Sequence, residues 1–329
     1  MSTSTITAEA KKAGEKLAGK VMPLTPTFGV KDYSTFFLAG ALCCTITHGA
    51  MTPIDVVKTR IQIDPKFSRT SMLSTGRQII ASEGPRGLLT GFGPTAVGYL
   101  VQGGAKFAGY EFWKKQLVEV VGSQEGAVEH RTAIYLVGAS VAEFFADILL
   151  APLEATRIRL VSDPKYATGL ATGFAKLSAE EGFAGLYAGF LPLICKQIPY
   201  AIGQFTVNEF CHELALKGMD EHEKANLGGM KKLGIDLGSG ITAGAAAAIL
   251  SHPADSMLSA VNKGAGPKGP MYKRLIQVGG ELGFSGLWAG LGPRIVMTAG
   301  LVTGQFLIYG WIKEALNAPP GVEIHKEEK

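Results

Sequence analysis

Long apolar stretches alternate with polar stretches along the whole chain. Six of the apolar stretches reach the ~20 helical residues that are needed to cross a hydrocarbon layer of ~30 Å. Glycine, proline or a lone polar residue interrupts each of them. The pattern predicts an all-α membrane protein with six transmembrane helices, near residues 33–57, 90–118, 132–156, 189–214, 234–258 and 289–315.

The polar stretches that follow the first, third and fifth apolar stretches contain short amphipathic runs. Around Met72 and Ile79, apolar positions alternate with charged and amide side chains, which predicts helices lying at the membrane surface. These three stretches hold ten Lys and Arg, whereas the two connections on the opposite side hold five. The bias places the three stretches on a shared side of the membrane.

An internal repeat organises these six stretches into three units. Residues 53–60 read PIDVVKTR, residues 152–159 read PLEATRIR, and residues 253–258 read PADSML, so an acid and a base or its replacement stand three residues apart. A glycine follows about thirty residues later in each unit, as Gly84, Gly182 and Gly283. Repeats of this length indicate one supersecondary unit used three times.

In this order, the proline, acid, base and glycine resemble the signature of the mitochondrial carrier family, over residues 31–317. The resemblance implies three pseudo-symmetric two-helix repeats with short surface helices, and it divides the chain as 1–30, 31–120, 130–218, 231–317 and 318–329. It also implies a multi-pass protein of the mitochondrial inner membrane, with both termini on the intermembrane-space side. Such a carrier functions as a monomer by alternating access, without a cofactor or metal.

The resemblance assigns the motif charges to a gate on the matrix side, made of Asp55, Lys58, Gln62, Glu154, Arg157 and Asp255. It implies that Asp55 pairs with Arg157, and that Asp255 pairs with Lys58. Gln62 braces a pair from one helical turn away. Glu154 lacks a partner because Leu258 replaces the third base, so the ring contains two bridges instead of three. A second ring at the opposite end, around Lys114, His212 and Lys313, is expected to be poorer.

Positions that break the threefold symmetry are candidates for substrate contacts. Matched offsets should lie at one depth on three helices, and twelve residues after the prolines of the even segments stand Lys106, Gln204 and Gln305. We predict unpaired cations and amides that bind an anion: Lys106, Gln102, Lys196, Arg294 and Gln305. Ionisable groups within a membrane segment suggest an ion or substrate path.

The odd-numbered segments contain His48, Glu143 and Asp147 at membrane depth. Matched offsets place His48 and Asp147 at one depth, and Glu143 lies one turn from Asp147. Histidine titrates near neutral pH, so we predict that these three residues couple a proton to transport. For His48 alone, a structural hydrogen bond is an equally good interpretation.

A cavity with cations, acids and a histidine fits an inorganic oxyanion that moves with H⁺. Residues 142–148 (AEFFADI), 196–200 (KQIPY) and 251–256 (SHPADS) resemble the phosphate-carrying branch of the family, particularly its fungal forms. This implies symport of phosphate and a proton, or exchange of phosphate for hydroxyl. Gln204 and Asn208 depart from that branch, which has a lysine and an aromatic residue there.

Composition supports a membrane protein and excludes little else. The 43 glycines and the low charged fraction of 18% are typical of helices packed closely in lipid, and a net charge of +4 gives no case for nucleic acid. Cys43, Cys44, Cys195 and Cys211 lack metal-site spacing, which predicts buried thiols. Residues 1–30 show neither a secretory signal nor a cleaved transit peptide, and the tail after Ala318 is expected to be solvated.

Three other functions remain open from the residues alone. The chain could carry another small anion or copper, as Gln204 and the Cys43–Cys44 pair suggest. It could be a membrane-embedded enzyme that uses His48 and Asp147 as an acid–base pair, although no nucleophile or cofactor motif accompanies them. It could be a scaffold that transports nothing, although the paired gate charges argue against this. The expected partners are phosphate, H⁺ and inner-membrane lipids, with cardiolipin as the candidate lipid.

Overall fold

The computed structural model describes residues 25–63, 66–67, 70–163, 165–217, 219, 228–262, 271–322 and 324. These residues form helices, turns and irregular segments, and none of them forms a strand. The helices are α1 (Val30–Ile63), α2 (Met72–Glu83), α3 (Phe92–Val121), α4 (Gln124–Glu129), α5 (Arg131–Ser162), α6 (Leu170–Leu186), α7 (Phe190–Leu216), α8 (Gly229–Asn262), α9 (Met271–Leu287) and α10 (Leu291–Ala315). A 3-10 turn covers Pro85–Leu89.

The long helices α1, α3, α5, α7, α8 and α10 form a closed ring. Each of them packs against the next one in this order, and α10 packs against α1. The motif prolines lie inside α1, α5 and α8, and each helix continues for about ten residues beyond its proline. We call the end that carries these prolines the proline end, and the opposite end the distal end.

Close packing within the ring depends on small residues. A Cβ atom added to Gly103 on α3 would lie 2.4 Å from the Cβ of Cys44 on α1, and one added to Gly244 on α8 would lie 2.5 Å from the Cα of Ala299 on α10. Neither site can accept a side chain without separating two helices. Such contacts replace the hydrophobic driving force that lipid cannot supply.

Three surface helices, α2, α6 and α9, cover the proline end. The repeated glycines Gly84, Gly182 and Gly283 lie where these helices end or bend, at φ values of 78°, 64° and 61°. This backbone conformation disfavours a residue with a Cβ atom, which explains why the glycine recurs in all three units. The repeat pattern therefore encodes a turn and not only a packing contact.

Length and hydropathy identify four of the described helices as candidate membrane spans: Val30–Ile61, Arg131–Ser162, Gly229–Leu258 and Arg294–Ala315. The other two long helices, α3 and α7, have charged residues inside their lengths, including Lys106, Lys114 and Lys196. Those charges lower the hydropathy of α3 and α7, although both helices take equal places in the ring. Fold class and helix count therefore agree with the prediction from the sequence.

The prediction of a solvated tail is wrong for the described part beyond Ala318. Val322 and Ile324 are 2% and 1% exposed, and they pack at the distal end in one cluster with Val118, Ile134 and Tyr135. The backbone N–H of Val322 donates to Glu111 Oε2 over 2.8 Å. The predictions for residues 1–24 and 325–329 fall outside the described part of the chain.

Candidate functional site

A cavity of about 700 Å³ lies inside the ring. Its inner end is lined by His48, Lys106 and Tyr200, and it continues through the motif charges to the surface helices, where Glu181 and Met271 line it. Beyond its inner end the bundle is filled by packed aromatic rings, namely Phe107, Tyr110, Phe205, Phe306 and Tyr309. The cavity is therefore directed towards the proline end.

Both ion pairs that the resemblance implies at the gate are formed. Arg157 Nη2 lies 3.3 Å from Asp55 Oδ2, and Lys58 Nζ lies 3.4 Å from Asp255 Oδ2. Glu154, which the sequence left without a partner in the third unit, accepts a hydrogen bond of 2.8 Å from Arg157 on its own helix. The side chain of Gln62 lies outside the described part of the chain.

Arg294 belongs to the gate and not to the inner end of the cavity. Its guanidinium pairs with Asp255 through Nη1 and donates to Ser251 Oγ through Nη2 over 3.0 Å. Asp255 therefore forms ion pairs with both Lys58 and Arg294. The prediction that Arg294 is unpaired is wrong for this state, because α10 brings its guanidinium within reach of Asp255 on α8, which matched offsets do not show.

Lys106 is also paired. Its Nζ atom lies 3.7 Å from Glu143 Oε2, and the two residues are 2% and 0% exposed. Gln102 Nε2 donates to the other oxygen, Glu143 Oε1, over 2.7 Å. A buried charge requires such a partner, so the matched offsets located Lys106 correctly but missed its counter-charge.

The three residues at the matched offset form a buried hydrogen-bonded row. Lys106 Nζ donates to Gln204 Oε1 over 3.4 Å, and Gln204 Nε2 donates to Gln305 Oε1 over 2.8 Å. Gln305 Nε2 then lies 3.2 Å from His48 Nε2, and the His48 ring stacks on Tyr99 with 3.6 Å between ring centroids. Tyr99 carried no signal in the sequence, since its partner is a neighbour in space only.

His48, Glu143 and Asp147 do not form one hydrogen-bonded cluster within the described residues. His48 faces Gln305 and Tyr99, while Glu143 faces Gln102 and Lys106. Asp147 is fully buried, and among the described residues no basic, amide, hydroxyl or backbone N–H group donates a hydrogen bond to its carboxylate oxygens. His48 therefore stands at one end of the buried row and Glu143 at the other, with Asp147 one turn from Glu143 on α5.

Lys196 is the cavity-lining cation for which the described residues provide no ion pair. It stands on α7 one turn before Tyr200, whose ring centroid lies 5.8 Å from Lys106 Nζ. An anion between Lys196 and Lys106 would meet one cation that is already neutralised and one that is not. Such a site favours a ligand of negative charge.

The distal ring is stronger than expected at one position. Lys114, 1% exposed, lies 2.7 Å from Glu209 and 3.3 Å from Glu111, so it links two repeats. His212 lies 3.6 Å from Asp236 instead of meeting a ring partner. Lys313 lies over the rings of Phe36 and Tyr309.

The cysteines divide into two kinds. Cys43 and Cys44 are buried, whereas Cys195 is exposed and Cys211 is intermediate. The prediction of four buried thiols is therefore wrong for Cys195. Among the described residues, no group of three His, Cys, Asp or Glu side chains could hold a metal ion.

Comparison with known proteins agrees with the threefold repeat. The family model described as "Mitochondrial carrier protein" matches residues 31–120, 129–218 and 230–319. A Dictyostelium discoideum protein, "Mitochondrial substrate carrier family protein N", is 42% identical over 300 residues, covering 90% of this chain and 98% of that protein.

Several relatives have a substrate in their names. "Phosphate carrier protein, mitochondrial" of Caenorhabditis elegans is 39% identical over 88% of this chain and 83% of its own length. "Probable mitochondrial phosphate carrier protein" of Schizosaccharomyces pombe is 40% identical over 85% of this chain and 90% of its own length. The nematode and fungal relatives match about equally, so identity does not favour a fungal type.

Proposed function

Because the chain belongs to the mitochondrial carrier family, and is therefore an inner-membrane transporter and not an enzyme, we propose that it carries inorganic phosphate into the matrix. The phosphate moves with a proton, or in exchange for hydroxyl, by alternating access. The cavity carries this proposal because it combines an unneutralised lysine, a neutralised lysine and buried acids. The names of the nematode and fission-yeast relatives support the same substrate.

In the proposed site, phosphate binds between Lys196 and Lys106. Lys106 exchanges part of its contact with Glu143 for the anion, and the predicted amide contacts are Gln102, which donates to Glu143, and Gln305, which joins the row through Gln204. Arg294 is available when Asp255 releases it, and its guanidinium can bind phosphate oxygens in a bidentate manner. Phosphate therefore competes with protein carboxylates for two of its three cations.

The proton is assigned to His48, Glu143 and Asp147. A buried carboxylate without a hydrogen-bond donor is costly, and among the described residues both oxygens of Asp147 lack one. A proton on Asp147 would remove the charge that is costly to bury. It would also offset the charge of phosphate arriving next to Glu143, so that the loaded cavity crosses the membrane with less net charge.

We also propose the orientation and partners of the carrier. The proline end, with its larger number of basic residues, faces the matrix, and both termini lie on the intermembrane-space side. The matrix gate then consists of Asp55, Lys58, Gln62, Glu154, Arg157 and Asp255. The monomer is the functional unit, and inner-membrane lipids such as cardiolipin are its expected lipid partners.

Uptake of radiolabelled phosphate into proteoliposomes that contain the full chain tests the substrate. We expect uptake that accelerates when the interior is more alkaline, with little uptake of sulfate or of copper ions under the same gradient. Asp147→Asn keeps the shape but cannot release a proton. It should therefore reduce pH-driven net uptake about tenfold or more while phosphate–phosphate exchange continues. Absence of phosphate uptake alongside rapid uptake of another anion would contradict the proposal.

A further inference from the structure

The direction of the buried hydrogen-bonded row is fixed by its first member. A lysine ammonium group can only donate hydrogen bonds, so the side-chain oxygen of Gln204 must face Lys106. Gln204 Nε2 then has to donate to Gln305 Oε1, across 2.8 Å. Gln305 is left with its NH₂ group facing His48 Nε2, at 3.2 Å.

This direction determines the state of the histidine. Since an amide NH₂ only donates, His48 Nε2 must accept, and it therefore carries no proton in this arrangement. The imidazole is neutral, with its proton on Nδ1. A proton on Nε2 would place two donors against each other, unless both glutamine amides turned over.

The surroundings of His48 are also suited to a neutral imidazole. It stacks on Tyr99 from α3 and faces Gln305 from α10, and the thiol of Cys44 lies near the same amide at 3.5 Å. Lys106, Arg157 and Lys196 line the same cavity from three helices, and carboxylates pair with the first two. An anion that enters the cavity would offset a positive charge on the imidazole.

We propose that Gln204 and Gln305 act as an orientation relay that couples anion binding at Lys106 to protonation of His48. When an anion draws Lys106 away from Gln204, both amides are free to turn over. Gln305 Oε1 then accepts from a protonated His48 Nε2, and the proton comes from the aqueous phase to which the cavity that His48 lines is open. The amides transmit orientation only, and no proton passes through them.

The relay makes Gln204 and Gln305 positioning residues. Anion binding and histidine protonation favour the same amide orientation, so each must strengthen the other by the same factor. A lysine at position 204 could not relay orientation, because it has no acceptor atom. Gln204, which stands where the phosphate-carrying branch has a lysine, is therefore part of the proposed coupling mechanism. The identity of the anion in this relay rests on the proposed function. The predicted tautomer of His48 does not.

The first arm of the test measures the His48 tautomer by ¹⁵N NMR of the full chain with labelled histidine, assigned by comparison with His48→Gln. Without any anion and at alkaline pH, we expect an unprotonated Nε2. Gln305→Glu offers only acceptors and should place a proton on Nε2. Gln197→Leu, a buried glutamine outside the row, should leave the tautomer unchanged. A protonated Nε2 in the parent protein, or the same tautomer in Gln305→Glu, would overturn the relay.

The second arm measures phosphate binding by calorimetry at two pH values. In the parent protein we expect tighter binding at the lower pH, and in Gln204→Leu we expect the ratio of the two affinities to fall by about tenfold, within the usual range of coupling. An unchanged ratio would overturn the relay. Absence of phosphate binding in the parent protein would instead contradict the proposed substrate, and the tautomer measurement would still decide the relay. The tautomer of the parent protein does not depend on Gln204→Leu or Gln305→Glu, so failure of either variant to fold leaves the first arm intact.

Discussion

At the scale of single residues, the cavity combines charges that stabilise the fold with charges that the substrate can use. Lys106 and Glu143 form a buried pair, and removing one member of such a pair leaves the other buried without a partner. A loss of transport after a single substitution therefore has two explanations. Substitution of both members separates them.

Lys106→Met alone should destabilise the protein by about 3–5 kcal/mol, which is the usual cost of breaking a buried ion pair. Lys106→Met combined with Glu143→Gln removes both charges and should recover most of that stability. Both variants should lose phosphate uptake, because the anion loses its cation. Thermal unfolding and proteoliposome uptake would be measured on the same preparations.

The double variant is the decisive one. If it unfolds like the parent protein and transports phosphate normally, Lys106 stabilises the fold and does not bind the substrate. Lys196→Met provides the matched control, because the described residues give Lys196 no ion pair. It should impair uptake with little change in the unfolding temperature.

The sequence predicted the positions of these residues better than their partners. Matched offsets placed Lys106, Gln204 and Gln305 at one depth, and the structure joins them by hydrogen bonds. Pairing was missed because Glu143 and Lys106 lie 37 positions apart, on helices whose rotation about their own axes no offset defines. The pairing of Arg294 with Asp255 was missed for the same reason.

At the scale of elements, the third unit differs from the other two at the proline end. Arg60 pairs with Glu83 at 3.1 Å, and Arg159 pairs with Glu181, so α1 and α5 are each tied to the surface helix that follows. The equivalent residues of the third unit, Ala260 and Leu282, pack in an apolar cluster. Leu258 in the gate continues this apolar character.

Leu258→Lys should provide the base that the gate lacks. Glu154 and Leu258 both line the cavity at the gate, so a lysine there would add a third bridge between repeats. The state that is closed at the proline end would gain about 0.5–1 kcal/mol at this partly exposed position. An equilibrium moves only when one state gains more than the other, so we expect a higher unfolding temperature and slower phosphate exchange.

Leu258→Met is the control, since it keeps the position apolar and similar in size. The two variants would be compared by thermal unfolding and by initial rates of exchange. If Leu258→Lys behaves like Leu258→Met in both measurements, Glu154 and position 258 do not meet in any populated state.

The helices themselves were predictable from the sequence, but their ends were not. The first predicted segment ended at residue 57, whereas α1 continues to Ile63. Hydropathy marks where apolar character stops, but a helix continues into water as long as its backbone hydrogen bonds and side-chain pairs support it. The motif bases of α1, Lys58 and Arg60, belong to this extension.

At the scale of the whole molecule, the C-terminal segment connects parts of all three repeats at the distal end. It leaves α10 of the third repeat, and Val322 donates to Glu111 on α3 of the first. The cluster around Val322 and Ile324 also includes Ile134 on α5, with Phe210 on α7 packed against it, both from the second repeat. The proposed alternating access requires the distal ends of these helices to separate, so the segment would have to leave its place first.

Deletion of residues 319–329 should therefore make the distal end easier to open. The deletion removes the hydrogen bond to Glu111 and the burial of Val322 and Ile324. Burial of each of these two side chains stabilises the closed distal end by about 1.5–3 kcal/mol. Tyr110, 3% exposed among the distal aromatic rings, provides the reporter. In a background without native cysteines, Tyr110→Cys should react with a membrane-impermeant maleimide several-fold faster in the shortened chain.

A smaller change distinguishes release of the segment from general damage. Val322→Asp places a charge in the apolar cluster and should accelerate labelling of Tyr110→Cys almost as much as the deletion. Val30→Asp makes the same substitution at an exposed position in the first turn of α1, where a negative charge is favourable, and should leave labelling unchanged. If the deletion and Val322→Asp both label at the parent rate, the segment covers the distal end without holding it closed. Since labelling requires no substrate, this result would be independent of what the carrier transports.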